Sequence, residues 1–394
     1  MAKLRSEIPT PDFGKFTLPL MAAAGAFGGY LVGTANGNSW AGVAGGIIVA
    51  ALLAVILIKM VPNRATGRLG TAIVLGLGGF IMAGLSGLIV GAIFGLIYSW
   101  FAYWLHSGDY RRGVPIYATA GDVLWHNTFL LICGLIFFFL IAPIVVVMPL
   151  SFNAEDFFTF TPEMLALDPE GYSLKHYRDF LTNSDWQHAL KNSFIIAPWA
   201  TLLSVTFGTL AAIGLSQDHV PFRRAIMAIL ISPMIVPLII SAAGMFFFYS
   251  RIGLQGEYLG VILAHAALGI PFVIITVTAT LVGFDRSLTR ASANMGAGPV
   301  RTFFKVQMPL ILPGVISGAL FAFITSFDEV VVVLFVGSSG QKTLPWQMFT
   351  GLREQISPTI LAVATIMVGI SIVLLSVLEM LRRRSERLRG LTPS

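Results

Sequence analysis

Six apolar runs, at about 127–150, 193–215, 225–248, 259–284, 310–335 and 357–380, fill the last two thirds of the chain. Each approaches or exceeds the roughly 20 residues that cross a bilayer's hydrocarbon as a helix. Strict apolar/polar alternation over about 10 residues, the pattern of a membrane barrel, is nowhere sustained, so the expected fold is all-α and membrane-spanning. Composition agrees, because 56% of the residues are apolar and 11% charged, against about 25% charged in a soluble domain. The water-exposed surface that a soluble enzyme needs is therefore missing. Cys133, the lone cysteine, lies inside an apolar run, which excludes an intrachain disulfide framework and any CxxC metal or redox motif.

Basic residues between the runs set the orientation. Arg111 and Arg112 precede the first, Arg223 and Arg224 separate the second from the third, and Arg286, Arg290, Arg301 and Lys305 follow the fourth. Arg382, Arg383, Arg384, Arg387 and Arg389 follow the sixth, and all of these fall on one side, which the positive-inside rule makes cytoplasmic. In the loop Ser151 to Asn192 acidic residues outnumber Lys175, Arg178 and Lys191, so that loop is expected outside. The net charge of +6 is a topology signal of this kind, and no nucleic-acid partner is expected. The N-terminus lacks a small-residue cleavage site after its apolar run, so no removable signal peptide is expected and the mature chain should start near Met1.

Residues 1–104 are glycine-rich. The stretch Thr71 to Trp104 would be about 51 Å long as one helix, against a hydrocarbon core of about 30 Å. Lys3, Arg5 and Lys15, then Lys59, Arg64 and Arg68, then Arg111 and Arg112 all belong inside, so an even number of crossings separates each cluster. A weak repeat agrees, since Gly28-Gly29-Tyr30-Leu31-Val32 is similar to Gly78-Gly79-Phe80-Ile81-Met82. The expectation is two duplicated hairpins, turning at Thr34 to Trp40 and at Leu85-Ser86. Small residues at every fourth position (Gly25, Gly29, Gly33; Gly42, Gly46, Ala50, Ala54; Gly87, Gly91, Gly95) let helix backbones approach closely in lipid. With these hairpins the topology is about ten crossings, both termini cytoplasmic. The chain then divides into the hairpins (1–104), a cytoplasmic linker (105–124), a six-helix core (125–382) and a basic tail (383–394).

No loop holds H-E-x-x-H, G-x-S-x-G or a dinucleotide fingerprint, and the six histidines show no metal-ligand spacing. The nearest approach to a phosphate loop, Gly337 to Thr343, lacks the Walker spacing and falls on the outer side. No catalytic residue, metal site or cofactor is assigned to this chain. The informative segment is the cytoplasmic loop at 285–309, DRSLTRASANMGAGPVRTFFKVQMP, in which a Gly-Ala-Gly-Pro break at 296–299 separates two short helix-compatible stretches. Such a pair offers either a docking knob or a partnerless interfacial helix.

That loop resembles the coupling signature of ABC-importer permeases: EAA, three residues, Gly, nine residues, Ile, one residue, Leu-Pro. Arg290-Ala291-Ser292, Gly296, Val306 and Met308-Pro309 stand at these positions with every spacing intact, although Arg290 replaces the acidic residue and Ser292 the second alanine. The resemblance extends over roughly 125–382, and Ser326-Phe327-Asp328-Glu329, Thr343-Leu344-Pro345 and Ile356-Ser357-Pro358 are similar to its spermidine/putrescine branch. It implies a type I importer permease core in a bacterial inner membrane. It also implies a second permease subunit, two ATP-binding subunits that hold ATP and Mg, an extracytoplasmic solute-binding protein, and alternating-access import of a polyamine-like cation.

Asp328 and Glu329 lie about three quarters of the way along the fifth run, where an acid costs at least about 2.5 kcal/mol unless solvated or paired. On one reading a carboxylate offers a cationic solute a transient site, with Phe321, Phe323 and Phe327 near the path. On another the pair bonds backbone or a partner subunit. A rival from a different class is a secondary transporter or channel using the two acids as an ion site, with no ATPase.

Overall fold

The structure is a computed structural model that describes residues 11–35, 37–61, 63–115, 117–217, 219–354 and 357–388. Lys3, Arg5 and Met1 at one end, and Arg389 and Ser394 at the other, lie outside the described residues, as do Asn36 in the first expected turn and Ile356. Among the described residues there is no strand, and eight helices are long and apolar enough to cross a membrane. The chain is a multi-pass membrane protein, and it forms two compact units.

The first unit comprises residues up to Val146 together with Phe160–Tyr172. Helices α1 (Leu18–Ala35) and α2 (Ser39–Val55) are joined by a short turn at Gly37, where φ is +76°, and Asn38 caps α2 by accepting from the Ala41 amide at 3.2 Å. Their glycines face one another: a β-carbon on Gly29 would strike the Gly42 carbonyl, and one on Gly46 the Gly25 carbonyl. The four-residue spacing of small side chains is thus the seam of the hairpin. A π-helical turn, Ile56–Met60, follows.

Helix α3 (Arg64–His106) is not one rod. Ala83 (φ −144°, ψ 24°) and Gly84 (φ 62°, ψ −141°) leave helical geometry, and the chain doubles back there. Gly79 meets Gly87, Gly91 meets Leu75, and the Thr71 hydroxyl donates to the Gly95 carbonyl at 3.1 Å. The expected second hairpin is present, with its reversal two residues before the expected Leu85-Ser86, at a glycine that tolerates positive φ. Each arm is about 20 residues, about 30 Å of helix and so enough to span, because the arms recruit 64–70 and reach His106 beyond the apolar stretch itself. The two hairpins meet through Met21, Ala54, Leu57, Ala102, Tyr103 and Leu105, with the Tyr103 hydroxyl donating to the Val61 carbonyl at 2.9 Å. Helix α4 (Ala120–Leu150) is apolar on every face, and its side chains are exposed along most of its length. It begins inside the segment read as a linker.

The second unit comprises Val147–Thr159 and the chain from Ser173 onward. After the short helix α5 (Pro162–Ala166) of the first unit come α6 (Lys175–Thr182), α7 (Ser184–Leu215), α8 (Arg223–Ile235), α9 (Leu238–Ile252) and α10 (Tyr258–Val282). The expected run 225–248 is broken: α8 and α9 meet at 102° across Val236 and Pro237. Pro237 lacks a backbone donor and disfavours a helical residue before it, and Val236 is extended with ψ 136°. Helix α10 forms the centre of this unit, with Val261, Ala264, Val273, Ile274 and Val277 fully buried.

Helices α11 (Arg286–Asn294) and α12 (Pro299–Thr302) lead through a π-helical turn, Phe303–Gln307, into α13 (Met308–Phe327). Close approach between α7, α10 and α13 again rests on small residues, since a side chain on Gly208 or Gly318 would collide with Val273 and one on Gly269 with Ser204. The expected run 310–335 also breaks. Helix α13 ends at Phe327 and the short α14 (Val331–Val336) follows, then α15 (Leu344–Glu354) and α16 (Thr359–Leu388). With the arms of α3 taken separately and the bent α8–α9 pair as one passage, the described residues supply ten segments long and apolar enough to cross a membrane.

Candidate coupling loop and acidic pair

The loop at 285–309 is a built element. Asp285 caps α11, accepting from the Ser287 hydroxyl at 2.6 Å and the Ser287 amide at 2.8 Å, and these bonds hold its carboxyl below the usual carboxylate range. Gly296 ends the helix with φ +79°, its amide donating to Ala293 at 2.9 Å while Ala297 donates to Ser292 at 3.1 Å. Pro299 starts α12, where a missing donor costs nothing. The Ser292 hydroxyl lies 3.0 Å from that of buried Thr302, which ties the two short helices together, and Gln307 of the π-helical turn donates to Thr289 at 3.4 Å.

The expected motif residues therefore divide by role. Ser292 and Gly296 shape the loop. Val306 and Met308 are half-buried, and Met308 packs against Ala212, Val273, Val277, Ile311 and Val315 of the bundle. Pro309 opens α13 and is exposed, as are Arg290 and Ala291. The motif does not single out an apolar set on the same loop, Leu288, Met295, Val300 and Phe304, of which Met295 is 88% exposed. Their spacing was in the sequence, but their exposure depends on the reversal at Gly296.

The acidic pair straddles the end of α13. Asp328 is the residue after the helix, its amide closing the last turn on Ile324 at 3.0 Å. Its side chain is exposed and makes no hydrogen bond or ion pair with a described residue. Glu329 is 7% exposed and accepts from the Val332 amide at 2.9 Å, so it caps the first turn of α14. Phe327 is buried rather than at an open surface, edge-on to Phe194 and stacked on Phe323. Phe321 lies elsewhere, stacked against Phe272. Of the five residues named from sequence, Phe323 and Phe327 pack together, Phe321 packs with Phe272, Asp328 is exposed and Glu329 is buried.

Sequence reasoning missed a clasp beneath the glycine-rich segment that had resembled a phosphate loop. Asn192 donates to the carbonyls of Gly340 and Lys342 at 3.0 and 2.8 Å, and the Tyr258 hydroxyl donates to Asn192 at 2.7 Å. Ser193 accepts from the Leu344 amide at 2.9 Å. This segment is therefore fixed by its backbone to α7 and α10.

The described residues thus form helices long and apolar enough to cross a membrane, with a folded loop between two of them that exposes apolar side chains. Residues 204–387, which contain both the loop and Asp328, match the family described as binding-protein-dependent transport system inner membrane component. The spermidine/putrescine transport system permease protein PotC of Haemophilus influenzae is 29% identical over 251 residues, covering 64% of this chain and 95% of that protein. The putrescine transport system permease protein PotI of Escherichia coli is 30% identical over 241 residues, covering 59% of this chain and 83% of that protein. In a solved bacterial ABC transporter involved in import of the acidic polysaccharide alginate, one chain shares the fold with a TM-score of 0.51 at 16% identity, covering 68% of this chain and 99% of that one. The chain belongs to the family of permease subunits of binding-protein-dependent ABC importers. The N-terminal hairpins lie outside the family match.

Proposed function

We propose that this permease passes a small polyamine-like cation inward by alternating access, with ATP hydrolysed in separate subunits. The observation that carries the reading is likeness to polyamine permeases along 83–95% of their own length. Asp328 adds to it, because an exposed carboxylate at a helix break, without a partner among the described residues, suits a transient contact with an alkylammonium group. Glu329 is already engaged by backbone, so the solute role falls on Asp328 alone.

In this reading two ATP-binding subunits hold ATP and Mg and dock on the loop at 285–309 of this chain and of a second permease subunit. Leu288, Met295, Val300 and Phe304 supply apolar contact, Arg290 meets a carboxylate of the ATPase, and Gly296 gives the turn its shape. An extracytoplasmic binding protein delivers the solute. Both termini are cytoplasmic and the membrane is the bacterial inner membrane. Affinity purification of the tagged full chain should bring down an ATP-binding subunit, and binding protein loaded with putrescine or spermidine should stimulate ATP hydrolysis while sugar-loaded protein should not. Isolation without any ATPase would favour an ion-coupled carrier instead.

A further inference from the structure

The N-terminal hairpins carry a site that solute transport does not explain. Arg64, Arg68, Trp100, Trp104, Asp109 and Arg112 line one cavity of about 320 Å³ at the end of the unit where both arms of α3 terminate. Gly108, with φ +69°, turns the chain so that Asp109 reaches Arg64 at 3.1 Å. That ion pair neutralises one guanidinium. Arg68 and Arg112 are left as two positive charges, and the Nε of Arg68 is buried without a hydrogen-bond partner among the described residues. The cavity therefore presents two guanidinium groups with no carboxylate partner among the described residues, a lining suited to something that brings oxygen atoms and negative charge.

The Trp100 and Trp104 rings stack at 5.8 Å beside it, and paired tryptophans next to arginine mark the level where hydrocarbon gives way to headgroups. The same basic clusters that orient the chain put this end in the cytoplasm. Guanidinium forks match phosphate oxygens in pairs, and basic pockets between membrane helices hold phosphorylated headgroups. Such a pocket repels a polyamine, so it stands apart from the solute pathway.

We propose that this cavity binds a phosphate group, with Arg68 and Arg112 as its ligands and the Arg64–Asp109 pair as its wall. The group comes from an anionic lipid headgroup or from free phosphate, and the experiment separates the two. The delipidated full chain in detergent is titrated with phosphatidylglycerol, phosphatidylcholine and inorganic phosphate, with thermal melting and native mass spectrometry as readouts.

Retained phosphatidylglycerol in preference to phosphatidylcholine identifies a lipid site; stabilisation by inorganic phosphate without lipid adducts identifies free phosphate. In either case Arg112→Gln, an exposed position whose change spares the fold, should weaken binding about tenfold, one charge-assisted contact, and the double variant Arg68→Gln/Arg112→Gln should weaken it further. Lys59→Gln removes a charge of the same unit that lies over the Phe13 ring and outside the cavity, and should leave binding unchanged. No binding of either ligand, equal loss in the Lys59 variant, or retention unaffected by the arginine changes would overturn the proposal.

Discussion

Asp328 and Glu329 are neighbours in sequence and opposites in setting. Positions one residue apart point about 100° apart on a helix, so the sequence already implied that only one could face a pathway. Their different settings were not legible, because they follow from α13 ending at Phe327 and from Glu329 turning back onto the Val332 amide. Asp328→Asn should lower polyamine uptake severalfold with assembly and basal ATP hydrolysis intact. Glu329→Ala should instead cost about 1 kcal/mol of stability, the usual worth of a helix cap, read as a lower melting temperature of the purified complex. Reversed effects would exchange the two roles. At Gly296 an added β-carbon meets nothing within 4 Å, so φ +79° alone demands glycine there. Gly296→Asp should leave binding-protein docking intact and raise the ATP hydrolysed per solute imported; unchanged coupling would remove the turn from the mechanism. Ser292 could be read as a departure from a motif, but its bond to Thr302 depends on the tertiary fold of the loop and was invisible in sequence.

At the scale of elements, the hairpins were legible from charge and from the four-residue recurrence of glycine, since both report a constraint that lipid imposes directly. The reversal within α3 was harder to place because Ala83-Gly84 carries neither charge nor proline, and its arms borrow polar ends at 64–70 that hydropathy discounts. The bend between α8 and α9 was hidden for the opposite reason: proline is tolerated within membrane helices, so Pro233 and Pro237 did not force a break on their own. In a Cys133→Ala background, Leu85→Cys should react with an impermeant maleimide from the extracytoplasmic side only. Reaction only from the cytoplasm would invert the hairpin. Gly46→Leu should separate α1 from α2, since even a β-carbon there meets the Gly25 carbonyl, and should lower the amount of folded protein in the membrane.

At the scale of the molecule, the sequence carried class and topology further than it carried sites. Long apolar runs and clustered arginines are properties of single segments, and they survive in any correct fold. The loop at 285–309 was legible as a folded element because its residues lie within one stretch of 25 positions. The clasp of Asn192 and Tyr258 on Gly340 joins positions 82 and 148 residues apart, and the arginine cavity joins the two ends of a folded-back helix, so neither could be read along the chain. The family match begins at residue 204, and the glycine-rich hairpins lie outside it. For the permease as a whole, the decisive measurement is uptake of labelled putrescine or spermidine into vesicles holding this chain with its co-purifying subunits and binding protein. Uptake that requires both ATP and the binding protein is the expected result. Uptake driven by an ion gradient alone, with no ATP-binding subunit present, would contradict it.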